Sequence, residues 1–218
     1  MKKQTFFLLG ILFLLASCVV KSLEPFYTSK SISYDENLLG NWTDSRKGKW
    51  KIISFKDQIT KENPFSKMKK EDKVLYNLYK DGYYILREYK DIETLYLAVP
   101  FVIKNEKFLD FFPIDNQDNV DNLLERHSVY THSLVKYDIN NEGGLSIKWL
   151  DEDKIEALFE EKKIKIQHRK IGVLKEKYLL TASSKDLEKF IEKYISSDDS
   201  KKWDTDTKYT LTKTVETE

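Results

Sequence analysis

Cysteine is nearly absent: the 218-residue chain holds one, Cys18. No intramolecular disulfide framework is available, and neither is a cysteine-based zinc site. Glycine (seven) and proline (four) are scarce. No G-x-G-x-x-G or phosphate-cradling loop occurs, so the usual nucleotide sites are excluded. Histidine is limited to His127, His132 and His168. His127 and His132 are five apart, so on one strand they point to opposite faces and cannot chelate together. They read as polar surface residues, with no metal and no cofactor. There is no G-x-S-x-G elbow for a nucleophile. Among 36 acids none is singled out as a glycosidase pair. The expectation is a protein that is not an enzyme.

An excess of either charge is also missing. Cations number 37 and anions 36; without Lys2 and Lys3 the cations fall to 35. Nucleic-acid binding calls for a basic excess and is not expected. The lysine-rich stretch Lys61–Lys73 interleaves acids among its lysines and reads as a solvated loop.

Aromatics, by contrast, are plentiful, with 13 Tyr and 12 Phe. These residues favour strands. Lys49–Phe55, Glu93–Ile103, Phe108–Pro113, Ser128–Lys136, Leu145–Trp149, Lys162–Arg169, Val173–Ala182 and Asp206–Lys213 all read as strands. Val74–Tyr89 reads as a hairpin turning at Asp81-Gly82, because a type I′ turn needs positive φ at both central residues. Two short helices are expected. One is Asp151–Glu160. In the other, Leu187, Phe190, Ile191, Tyr194 and Ile195 form an apolar stripe. Ser183 with Asp186 caps its start. The fold class is mainly β: an antiparallel up-and-down barrel or strongly curled sheet with one or two short helices. Closure removes exposed edges.

Lys2 and Lys3 precede the apolar run Phe6–Ala16, which is about half the roughly 20 residues a spanning helix needs. A basic start, a short apolar run and small residues form a secretory signal. Leu15-Ala16-Ser17-Cys18 then resembles the lipobox of bacterial lipoproteins. The resemblance implies that residues 1–17 are a signal peptide and that Cys18 becomes the acylated amino terminus. Two or three acyl chains hold a domain on a bilayer stably, where one does so only marginally. Val19 follows Cys18, where an Asp would resemble an inner-membrane retention signal, and no acidic cluster follows. The expected address is the outer membrane, facing the periplasm. Residues 18–37 read as a lipid-anchored tether and 38–218 as the domain.

Gly40-Asn41-Trp42 opening the first strand resembles the G-x-W motif of lipocalins and the wider calycin group. Leu23-Glu-Pro-Phe-Tyr-Thr-Ser-Lys30, Leu39-Gly-Asn-Trp42, Phe108-Leu-Asp110 and Leu179-Leu-Thr-Ala-Ser-Ser-Lys-Asp-Leu-Glu-Lys-Phe190 are similar to uncharacterised lipocalin-like lipoproteins of the Bacteroides–Flavobacterium lineage. The resemblance implies a barrel plugged at one end by Trp42. No arginine follows the last strand to pack on that tryptophan, and Arg169 is the candidate. A barrel of about eight strands either holds one small ligand or is filled by side chains.

Two ligand-binding candidates follow, Trp42 and Asp110. Asp110 lies between Phe108 and Phe112 on one strand face. If that face is the interior, Asp110 is buried, needs a partner, and orients a ligand's polar head. If it is the outer face, Asp110 is structural. Tyr76, Tyr83, Tyr84 and Tyr96 line a pocket or serve as core. The expected function is an envelope lipoprotein binding a small apolar or amphipathic ligand. The alternative is a non-catalytic interaction protein, an accessory subunit or immunity-type inhibitor, with a filled barrel and a protein partner.

Overall fold

The computed structural model describes residues 19–114, 129–175 and 177–214. Cys18 and His127 therefore lie outside the described residues. The chain enters through β1 (Lys21–Ser22). The barrel strands are β2 (Gly40–Asp44), β3 (Lys49–Ser54), β4 (Tyr83–Tyr89), β5 (Ile92–Ile103), β6 (Glu106–Ile114), β7 (His132–Ile139) and β8 (Leu145–Trp149). Each pairs antiparallel with the next. After β9 (His168–Ile171) and β10 (Lys177–Leu180), β11 (Lys208–Lys213) pairs with both β8 and β2. That pairing closes an eight-stranded up-and-down barrel with no free edge.

Strand alternation sends Trp42, Ile52, Ile85, Phe111, Tyr137 and Ile147 into the interior, where all are buried. Two of the hairpins turn on Lys90-Asp91 (φ 50° and 62°) and Lys104-Asn105 (φ 48° and 69°). Positive φ at both central residues is what a type I′ turn demands.

The sequence expectation of a hairpin over Val74–Tyr89 is corrected. Between β3 and β4 the chain forms α1 (Phe55–Glu62) and α2 (Lys70–Tyr79). β4 already pairs β3 on one side and β5 on the other, so no edge is left for a strand over 74–79. Asp81-Gly82 instead carries the chain from α2 into β4. The Lys61–Lys73 stretch is likewise the end of α1, a 3-10 turn at Phe65–Lys67 and the start of α2 rather than a loop.

The expected helices appear as α3 (Glu152–Glu160) and α4 (Ser184–Ile195), making four among the described residues. Ser183 Oγ accepts from the Asp186 N–H at 3.3 Å, the cap expected from sequence. Lys162–Arg169 is extended chain ending in β9, and only Lys177–Leu180 of the second expected strand forms β10.

α3, α4, β1, β9 and β10 build a second layer on the outer face of β5, β6 and β7. Its core joins Val20, Phe26, Phe101, Phe108, Leu187 and Ile191, all nearly fully buried. Residues 19–37 are thus part of the fold rather than a tether. β1 pairs with β7 and β10, and Phe26 is completely buried. Val20 and Phe26 remove more apolar surface from water than a free tether allows, each contributing roughly 1.5–3 kcal/mol.

Candidate functional site

The two ends of the barrel differ. One is sealed by residues 35–42. Trp42 is 2% exposed, and its Nε1–H donates to the Leu38 carbonyl at 3.0 Å. Asp35 caps the 3-10 turn Glu36–Leu38 and collects the Tyr137 hydroxyl (3.2 Å) and Lys107 Nζ (2.8 Å). Burial works against the Asp35 charge, but the Lys107 and Asn37 hydrogen bonds outweigh it and hold its carboxyl below the usual range. Trp42 therefore plugs this end. The cation on its ring is not Arg169, which is exposed on β9. It is Lys213, from the last barrel strand, with Nζ 5.3 Å from the ring centroid. A lysine there supplies the cation–π contact.

At the other end lies a cup of about 390 Å³. Trp50, Tyr96, Trp149 and Tyr209 form its aromatic wall, with Arg87 among them. Phe111 packs against Tyr96 (5.5 Å) and Trp149 (5.3 Å), so the interior below is filled. Ring centroids of Trp50, Tyr89 and Tyr209 lie 5.3, 4.9 and 5.2 Å from the Arg87 guanidinium carbon. Only 16% of that side chain is exposed. Burial pushes the Tyr96 hydroxyl up while Arg87 pulls the other way.

The sequence accounts for the placement of Arg87. It alternates inward with Tyr83 and Ile85 on β4 and pairs across from Trp50 and Thr94. Asp44 fixes it from the β2–β3 turn. Its Oδ1 accepts the Arg46 and Gly48 backbone N–H groups (2.8 and 2.7 Å). Its Oδ2 accepts Trp50 Nε1–H (2.8 Å) and Arg87 Nη2–H (3.2 Å). Burial raises the Asp44 carboxyl, but these donors outweigh it and hold the pKa below the usual value. The carboxylate thus shapes the β2–β3 turn and anchors Arg87 together.

Asp110 is not in this site. It faces outward from β6, beneath the second layer, and is 2% exposed. Oδ1 accepts the Phe26 N–H at 3.0 Å, and Oδ2 lies 2.6 Å from His132 Nδ1. Burial pushes its carboxyl up, against the pull of His132 and the Phe26 N–H. Asp110 therefore orients the entering chain, not an interior ligand. His132 is corrected too: it is 8% exposed, not a surface residue. Of the candidate tyrosines only Tyr96 reaches the cup. Tyr83 is sealed in the closed end, Tyr84 faces Phe55 outside the barrel, and Tyr76 stands on α2.

Sequence reasoning missed Arg87, Trp50, Trp149 and Tyr209. Inward parity along the strand from Tyr83 through Arg87 was the available signal. A cation at an interior position is costly unless paired.

A larger hollow, about 840 Å³, lies outside the barrel between residues 162–167 and α4. Lysines such as Lys163, Lys189 and Lys193 rim it over Ile164, Ile166 and Phe190. Those lysines are exposed, so water satisfies them, and none of the lining residues carries an unpaired buried polar atom. The cup is the better candidate because its charged group is desolvated.

Among the described residues, no group of three or more metal-ligating side chains converges, and no helix is long and apolar enough to cross a membrane. A scan of protein-family models, a search of curated proteins and a search of solved structures each returned no match.

Proposed function

We propose that this chain is an envelope lipoprotein, acylated at Cys18 and held on the outer membrane's periplasmic face, whose barrel binds a small amphipathic ligand without catalysis. The observation that carries the ligand reading is the cup: a barrel that, among the described residues, is filled at one end and concave at the other, with a desolvated arginine set among aromatic rings. Small-molecule sites have this composition, an apolar concavity with few oriented polar groups. The lipoprotein reading rests on the Leu15–Cys18 motif behind a basic, then apolar, leader.

Native mass spectrometry of the protein released from membranes tests the ligand reading. A stoichiometric small-molecule adduct is expected; a protein that never carries one overturns it. Cys18→Ser tests the anchor. The variant should keep its leader and leave the membrane fraction, and normal maturation with membrane retention would refute the assignment.

A second reading, an interaction protein, draws on α2. That helix has no buried residue, and Phe65, Val74 and Leu78 beside it or on it are 43%, 54% and 59% exposed. Exposed apolar clusters mark partner surfaces. A stoichiometric partner recovered from solubilised membranes, and lost on Val74→Asp with Leu78→Asp, is the outcome that favours it.

A further inference from the structure

The cup carries more positive charge than an apolar ligand needs. Arg87 lines it, Lys21 stands at its rim, and the Arg46 guanidinium lies 4.8 Å from the Tyr209 ring centroid. Asp44, the acid at the β2–β3 turn, already accepts from Arg46, Gly48 and Trp50 as well as Arg87. Arg87 is less satisfied. A guanidinium has five N–H donors. Asp44 takes one of them, and the buried Nε–H has no acceptor among the described residues. Buried donors without acceptors call for an explanation. A partly open guanidinium, desolvated by three rings, is built for planar anions such as carboxylate or phosphate.

The position of the mouth identifies the source of that anion. Val19 lines the cup and packs on the interior cluster. Val19 directly follows the proposed acylation site in sequence, so no linker separates the anchor motif from the residue that lines the cup. The β4–β5 turn reaches out at the same end, one inward-facing pair beyond Arg87 and Thr94. Ile92 on it is 67% exposed, and Val129 in the cup lining is 73% exposed. Lys90 stands on the same turn. Exposed apolar tips at a turn that carries Lys90 and Asp91, next to the proposed anchor site, form a surface suited to a bilayer interface.

We propose that the cup takes the anionic head of a single-chain amphiphile from the bilayer on which the mouth rests, with Arg87 as the anion-binding residue. The head enters and the chain stays in the membrane, because Phe111 and its neighbours fill the barrel below. The inference rests on the acylated-anchor and ligand-cup reading above.

The test uses the full-length acylated protein reconstituted in phosphatidylcholine vesicles. Dodecyl phosphate, dodecanol and inorganic phosphate are titrated separately, and tryptophan fluorescence reports on Trp50 and Trp149. Dodecyl phosphate should give a saturable change, with dodecanol about tenfold or more weaker, the scale of one hydrogen bond to a charged group. Inorganic phosphate should give none at matched concentration. Arg87→Met should erase the preference and Arg87→Lys should retain part of it. If Arg87→Met does not fold, Lys21→Gln with Arg46→Gln should weaken dodecyl phosphate alone. Equal binding of inorganic phosphate overturns the membrane source. Equal binding of dodecanol, unaffected by Arg87→Met, overturns the anion assignment and leaves the ligand cup standing. No response to any of the three overturns this inference, whereas the ligand reading falls only if native mass spectra also lack an adduct.

Discussion

Asp110→Ala removes the acceptor that ties the amino-terminal segment to the barrel wall. The carboxylate is 2% exposed and serves two groups, the Phe26 N–H at 3.0 Å and His132 Nδ1 at 2.6 Å. An orphaned buried N–H costs about 1–3 kcal/mol. A stranded His132 ring is a second unpaired buried group of the same cost. The two overlap, because one side chain is lost, so a destabilisation of about 2–4 kcal/mol is expected. For a domain of this size that is a fall of roughly 4–16 °C in Tm. Asp110→Leu with His132→Leu should recover part of the loss, since the His132 ring is no longer stranded while the Phe26 N–H still is. Amide exchange should accelerate first at Phe26 and its neighbours, because the segment loses its link to β6 before the barrel opens. Thermal and urea melts of wild type, both single variants and the double variant close the cycle. A loss below about 1 kcal/mol for Asp110→Ala would refute the reasoning, as that is the size of one ordinary hydrogen bond. The pH dependence adds a check. Burial raises the folded pKa of Asp110 above its ordinary 3.8, so the native state holds this proton more tightly than the unfolded chain. From 3.8 up to the raised value, stability from this group declines as pH rises. The double variant should lack that slope.

Asp44 and Asp35 titrate with the opposite sign. Their folded pKa values lie below 3.8, so their stabilisation is complete above it and fades as pH falls through the lowered value; Asp44→Asn should flatten the acid limb of a pH-melting curve. Trp42→Ala should cost about 3–5 kcal/mol by urea melting, through the cavity left at the sealed end, and it should leave cup binding by Trp50 and Trp149 fluorescence intact. Gly82→Ala should destabilise by about 1–3 kcal/mol, since an added Cβ meets the Ala98 carbonyl oxygen at 2.8 Å, and backbone cannot move aside like a flexible side chain. A flexible ten-residue insert between Cys18 and Val19 should preserve melting temperature and membrane fractionation. It should also slow loading of dodecyl phosphate from the same vesicle, because the mouth no longer rests on the bilayer.

Local pattern carried much of the architecture. β-forming composition over Lys49–Phe55, an apolar run over Glu93–Ile103 and alternation over Asp206–Lys213 marked barrel strands. The Leu187–Ile195 stripe marked α4 because its apolar face packs on the second-layer core. Trp42 beside Gly40 marked the plugged end. The anchor reading at Cys18 likewise needs only residues 1–18, since it depends on linear order.

What depended on non-local neighbours was hidden. Val74–Tyr79 has β-forming residues but became helix because both edges of β4 were occupied. Residues 19–37 show no periodicity, yet they are ordered by Asp110, β7 and β10, contacts that exist only once the barrel has formed. Asp110 was a ligand candidate and Arg87 was missed for the same reason. Strand alternation tells which residues share a face, and only the closed barrel with its outer layer decides which face is inside. The lone cysteine's neighbour, Val19, shows this most directly. Its sequence context is that of an anchor motif; only the fold puts Val19 in the lining of an aromatic, positively charged cup.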